Sequence, residues 1–135
     1  MGEHSSGARG EAESPLHAAA WCNEWRRIRR LVSRGHDVNC RDDIGETPLH
    51  GAAAWGHCTA VRTLLRLGAR QDLVSADGMT ALHWAAGWGN LGVVRALVRA
   101  GADRKRPDAH GLTPAQLAAS RGKAKVAAWL ESFDA

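Results

Sequence analysis

Thr47-Pro48-Leu49-His50 is the stretch that decides how this chain is built. Thirty-three residues earlier the same positions read Ser14-Pro15-Leu16-His17, and thirty-three later Thr80-Ala81-Leu82-His83. A worn copy, Thr113-Pro114-Ala115-Gln116, closes the series. A fixed period of this size predicts a stacked array of small units rather than one globular core. Such an array offers an extended surface, and nothing in its repeating positions is needed for catalysis.

Working outward from the motif, each copy carries a helix-start signal: a hydroxyl residue that can cap the helix, with Pro next at three of the four sites. Asn23, Gly56, Gly89 and Gly122 follow in register and predict tight turns where the first helices end. A second helix is then read from apolar residues at helical spacing: Ile28, Leu31 and Val32; Val61, Leu64 and Leu65; Val94, Leu97 and Val98; Ala127 and Leu130. Gly35, Gly68 and Gly101 stop it, and segments rich in Asp, Asn and Gly lead to the next motif as turns or hairpins. One helix pair cannot bury its apolar stripe alone, so the units must stack.

The rest of the composition bounds the reading. A chain of 135 residues with 44% apolar and 24% charged residues fits one globular domain. Residues 1–13 are polar and aperiodic and are expected to be a disordered tail. No apolar run reaches the roughly 18–20 residues of a membrane span, and no leader pattern opens the chain. The three cysteines, Cys22, Cys40 and Cys58, cannot all pair, which points to reduced thiols in a cytoplasmic or nuclear setting.

These features together resemble the ankyrin repeat family over about residues 11–135. The resemblance is carried by Gly45-Glu46-Thr47-Pro48-Leu49-His50, Gly78-Met79-Thr80-Ala81-Leu82-His83, the pairs Ala52-Ala53, Ala85-Ala86 and Ala118-Ala119, Gly56-His57, and Gly35-His36-Asp37-Val38-Asn39. Departures sit at the ends, where Ala12 replaces a turn Gly and Ala115-Gln116 replaces Leu-His. The resemblance implies an all-α solenoid of four repeats (about 14–43, 44–76, 77–109 and 110–135), with helix-turn-helix units joined by short β-hairpin turns. It also implies a monomeric, non-enzymatic protein-binding adaptor, inhibitor or scaffold without cofactors, contacting its partner through the concave face.

In ankyrin repeats the positions just after the Ala-Ala pair point into the concave groove. Here these are Trp21, Cys22, Ala54, Trp55, Gly87, Trp88, Ser120 and Arg121. The chain has six Trp but no Tyr and one Phe, so its aromatic surface is set by where Trp falls. Trp55 and Trp88 occupy one register place in adjacent repeats, where nothing in the fold demands an indole, and exposed Trp is typical of binding hot spots. Against this stands a purely structural ladder of stacked rings. Trp84 reads equally as core or groove floor, and Trp129 as cover for the end of the stack. Asp43, Ile44, Glu46, Asp77 and Met79 lie on the turns beside the Trp pair, which favours a partner with apolar anchors and Lys or Arg. The turns are acidic (Asp42, Asp43, Glu46, Asp72, Asp77, Asp103, Asp108) and the second helices basic.

Arg26-Arg27-Ile28-Arg29-Arg30 matches a nuclear-import cluster, but the buried stripe through Ile28 makes a solvated helix face the simpler account. The alternative function is electrostatic binding of nucleic acid or anionic membrane through these Arg-rich backs; net charge is only +4, and nucleic acid is the less favoured partner. His17, His50 and His83 would stand about 10 Å apart in a stack, too far to share a metal, and each can bond its own cap hydroxyl. No phosphate loop or nucleophile with a partnered base is present. Met1-Gly2-Glu3-His4-Ser5-Ser6 fits a loose myristoylation pattern. Leu31, Asp37, Val38 and Asn39 resemble the sequence that an asparaginyl hydroxylase modifies in ankyrin proteins, with Asn39 as target. Asn39 can equally serve by bonding the turn backbone.

Overall fold

The computed structural model describes residues 14–134. The tail reading for residues 1–13, the Ala12 departure and the myristoylation pattern lie outside the described residues. Eight α-helices are found among those described: α1 (Pro15–Trp21), α2 (Trp25–Ser33), α3 (Pro48–Ala54), α4 (Cys58–Arg66), α5 (Ala81–Gly87), α6 (Leu91–Arg99), α7 (Pro114–Ser120) and α8 (Ala124–Glu131). A single 3-10 turn, Ser132–Asp134, follows α8.

Each odd-numbered helix starts at its hydroxyl cap. The side chains of Ser14, Thr47, Thr80 and Thr113 accept from the backbone N–H of His17, His50, His83 and Gln116. In α3, α5 and α7 the residue three along answers by accepting the cap's own N–H, completing a capping box. These helices stop at Asn23, Gly56, Gly89 and Gly122, with φ of 58°, 73°, 76° and 75°. Asn23 is the one described non-glycine in the left-handed region; its side chain also accepts the Ala60 N–H at 3.1 Å, tying the first pair to α4.

The helices stack in two layers. α1, α3, α5 and α7 pack in sequence as one row, and α2, α4, α6 and α8 as the other. Between the rows lies a core built from the same register places in successive repeats: Leu16, Leu49 and Leu82; Ile28, Val61, Val94 and Ala127; Leu64, Leu97 and Leu130. Small residues let the first helices approach closely. Ala20, Ala53 and Ala86 are fully buried, whereas the equivalent Ala119, in the last described helix pair, is exposed. The other end shows the same effect: Ala60, Val93 and Val126 are buried, and their counterpart Arg27 meets solvent.

The hairpins are tight five-residue loops. No strand is present among the described residues, and the ends of each loop are joined by a backbone bond: Asp42 N–H to Glu46 O, Ser75 N–H to Met79 O, and Asp108 N–H to Leu112 O. Successive tips are linked by Ala76 N–H to Ile44 O (2.8 Å) and Ala109 N–H to Asp77 O (3.0 Å). Gly78 shows why glycine is needed here. Its φ is +72°, and a Cβ would sit 2.7 Å from the Ala109 nitrogen. Asp42 and Asp108 are consumed by the same loops, each accepting two backbone N–H groups on Oδ1.

Candidate partner-binding face

The histidine row joins one repeat to the next. The His50 Nδ1 accepts the Thr47 N–H at 3.0 Å, and Nε2–H donates to the Met79 carbonyl at 2.8 Å. His83 repeats the pattern with Thr80 and Leu112, and His17 reaches the Glu46 carbonyl at 2.7 Å. Gln116, in the last described helix pair, keeps the cap by accepting the Thr113 N–H. Burial drives the His50 pKa down to about 4, with the Met79 carbonyl only partly opposing it. Burial lowers His83 too. At His17 burial likewise opposes charge, but the Cys40 side chain and the Glu46 carbonyl outweigh it and leave the pKa raised.

Cys40 lies 3.9 Å from His17 Nδ1 and 3.5 Å from Ser14 Oγ. Burial would raise its pKa; the bonds to His17 and Ser14 overcome that and lower it. No local pattern announces this neighbourhood, since Cys40 lies in a loop 23 residues along the chain from His17. All three cysteines are free thiols.

The positions after the Ala-Ala pairs carry the exposed indoles. Trp21, Trp55 and Trp88 are 43%, 65% and 54% exposed, a large apolar area for a place that no core contact fills. The ring ladder weighed against binding is not formed: among the described residues the one aromatic pair is Trp129 with Phe133, edge to face at 5.0 Å. Trp129 is half-buried against the core at the end of the stack, with Arg95 above it.

Two grooves result. Trp21, Glu46, Gly51, Ala54, Trp55, Trp84 and Trp88 line one, of about 350 Å³. His17, Ala18, Trp21, Cys22, Asp42, Asp43 and Ile44 line the other, of about 290 Å³. Trp21 is shared and forms the ridge between them. Trp84, readable from sequence as core or groove floor, is half-buried and forms part of the first groove's wall. Gly51, which the sequence reading passed over, is the seat of Trp21: a Cβ there would fall 2.1 Å from the Trp21 Nε1. The signal was present, because Gly51 stands where the other repeats have Ala18, Trp84 and Leu117.

Of the turn residues expected beside the Trp pair, Asp43, Asp77 and Ile44 are exposed and Glu46 is half-buried. Met79 is a correction. It is only 7% exposed and so is buried, not presented beside the Trp pair. Arg121 is exposed and stacks its guanidinium 5.8 Å from the Trp88 centroid. Fewer carboxylates on the finger side are free to contact a partner than composition suggested. Asp42 and Asp108 serve loop amides, Asp103 accepts the Lys105 N–H, and Asp72 pairs with Arg70. On the opposite face Arg26, Arg27, Arg29 and Arg30 are exposed around buried Ile28. Asn39 holds a turn: its amide donates to the Gly68 carbonyl at 3.3 Å and accepts the Arg70 N–H at 2.8 Å.

No described helix is long and apolar enough to cross a membrane. A search of the curated proteins finds no match. The family model described as ankyrin repeats (3 copies) matches residues 3–74 and 67–134, nearly the whole length. Repeats of this kind generally mediate protein–protein interaction and are typically non-enzymatic. With the capped helix pairs, the bridging histidines and the looped fingers in one register, the chain belongs to the ankyrin repeat family.

Proposed function

We propose that this protein is a non-enzymatic binding module that holds a partner protein along its concave face, as an adaptor, inhibitor or scaffold. The observation that carries this reading is the run of exposed indoles, Trp21, Trp55 and Trp88, at positions the fold leaves free. Indoles supply large, stiff contact area and are enriched among residues that dominate binding energy. Ile44 adds an exposed apolar anchor, and Asp43, Asp77 and Glu46 favour a partner with Lys or Arg between its apolar groups. Rim carboxylates would act mainly on association rate and salt sensitivity.

The test is quantitative capture of partners by wild type and by the Trp55→Ala/Trp88→Ala double variant. Loss of ~2 kcal/mol or more per buried Trp anchor is expected. Capture of the same proteins at equal strength by both would sink the proposal.

A second reading draws on the opposite face. Arg62, Arg66 and Arg99 line a shallow cleft between α4 and α6, and Arg26, Arg29 and Arg30 line another beside α2. Such rows could hold a polyanion, a nucleic acid or an anionic membrane surface. Binding that falls steeply with salt and survives the double Trp substitution would favour it.

A further inference from the structure

Four indoles and one carboxylate meet in a single groove: Trp21, Trp55, Trp84, Trp88 and Glu46, with Gly51 and Ala54 also lining it. The groove offers few polar groups to a ligand. The Gly51 carbonyl already accepts the Trp55 N–H at 3.2 Å, and the Ala54 carbonyl accepts from Asn90 Nδ2 at 3.1 Å. Glu46 is half-buried and forms no ion pair with a described residue. Burial first, then Asp42 and Asp77 nearby, push its carboxyl pKa up, with His17 pulling the other way. A cation arriving beside it would relieve that penalty.

We propose that this groove recognises a methylated ammonium group on a lysine side chain of a partner protein, seated among the indoles of Trp21, Trp55, Trp84 and Trp88 beside Glu46. The proposal rests on the reading of this face as the partner-binding surface and names the chemistry it takes. An unmodified ammonium is strongly hydrated and carries three donors, and a guanidinium carries five, so either would enter this groove with most donors unmet. Methylation keeps the charge, replaces N–H donors with C–H groups and weakens hydration. A cation of that kind is held well by indole faces. Trp88 already takes a cation within the molecule, since Arg121 rests 5.8 Å from its centroid while lying outside the groove lining.

The arrangement is confined to one junction of the stack. Gly51 is what admits the Trp21 ring, because any side chain at that position would occupy the indole's space. One repeat further on, the places of Trp84 and Trp88 are taken by Leu117 and Arg121, so the same box cannot form there. The groove's volume of about 350 Å³ leaves room for the head group and part of its alkyl stem.

The experiment is a titration of the full chain followed through its six indole N–H signals by NMR. Three probes are compared: acetyl-trimethyllysine amide, acetyl-lysine amide, and a neutral analogue in which a tert-butyl group replaces the trimethylammonium. The trimethylated probe should shift the signals of Trp21, Trp55, Trp84 and Trp88, with an affinity about fivefold or more above both controls. Trp25 and Trp129 lie outside the groove and should not move. Glu46→Gln should weaken the probe while leaving the urea midpoint in place, and Trp55→Ala should abolish the selectivity. Equal affinity for the neutral analogue or for unmodified lysine, or shifts that include Trp25 and Trp129, would overturn the proposal. In that event, capture of a protein partner that still depends on Trp55 and Trp88 would leave the face assignment standing. Selective probe binding alongside undiminished capture by the double Trp variant would instead remove the face assignment.

Discussion

Lowering the pH from about 7 to about 4 should strip stability from this protein through His50. The ring is only 1% exposed, and its Nδ1 is occupied by the Thr47 N–H and hydroxyl. Protonation would place a second donor against the first. The folded pKa, about 4, lies below the ordinary histidine value of 6.5, so between these values the unfolded chain binds the extra proton. Stability is therefore fully present above 6.5 and falls as pH drops towards 4. Roughly 2.5 pH units at ~1.36 kcal/mol each comes to about 3 kcal/mol, a large part of the ~5 to 15 expected for a domain. The control is His50→Gln, because Gln116 shows that Gln sustains the same cap without titrating. At neutral pH the variant should lose about 1 to 3 kcal/mol, since the Met79 carbonyl is left buried without its donor. The assay is urea denaturation of both proteins across this pH range. His83, lowered, adds to the same trend; His17, raised, acts with the opposite sign. Both are common to the two proteins and cancel in the difference. Wild type should lead at neutral pH and lose that lead as acid is added. A gap between the two that stays constant with pH would refute the reasoning.

Other expectations follow from the packing. Leu64→Ala and Leu97→Ala, both at fully buried sites, should each cost ~2 to 5 kcal/mol, read as lowered urea midpoints; unchanged midpoints would mean the second-helix faces are misassigned. Gly51→Ala must expel the Trp21 indole from its seat, so it should red-shift and quench Trp emission while the helical circular dichroism persists; an unaltered spectrum would contradict the seating. Asn39 should be hydroxylated when the chain is co-expressed with the asparaginyl hydroxylase, but slowly, because the turn must open to release its bonds to Gly68 and Arg70. Mass spectrometry showing only unmodified Asn39 would count against it.

The period of 33 and the cap signals made the helix pairs, their turns and their buried stripes legible, because each follows from local chemistry repeated in register. Contacts between repeats were less so. That His50 bonds its own cap could be read from spacing, but its second partner, the Met79 carbonyl, belongs to the next unit. The same offset hid the seating of Trp21 on Gly51, which lie thirty residues apart along the chain. Met79 was misread because a loop residue's direction depends on where the five-residue loop closes. Acidic residues counted from composition overstated the number of carboxylates free for a partner, since several serve loop amides or an arginine neighbour. The exposed places of Trp55 and Trp88 were legible because a register position that accepts Cys22 and Arg121 elsewhere is one the core does not use.

The central claim is that the partner lies along the concave face, and site-specific photo-crosslinking tests it most directly. A photoreactive amino acid would be placed at position 43, an exposed rim place of the groove that Trp21 and Ile44 also line, or at position 62, on the exposed back of α4. Irradiation of the complex should join the partner to the chain from position 43 and leave it free from position 62. Crosslinking from position 62 with none from position 43 would contradict this placement and move the binding surface to the arginine-lined back.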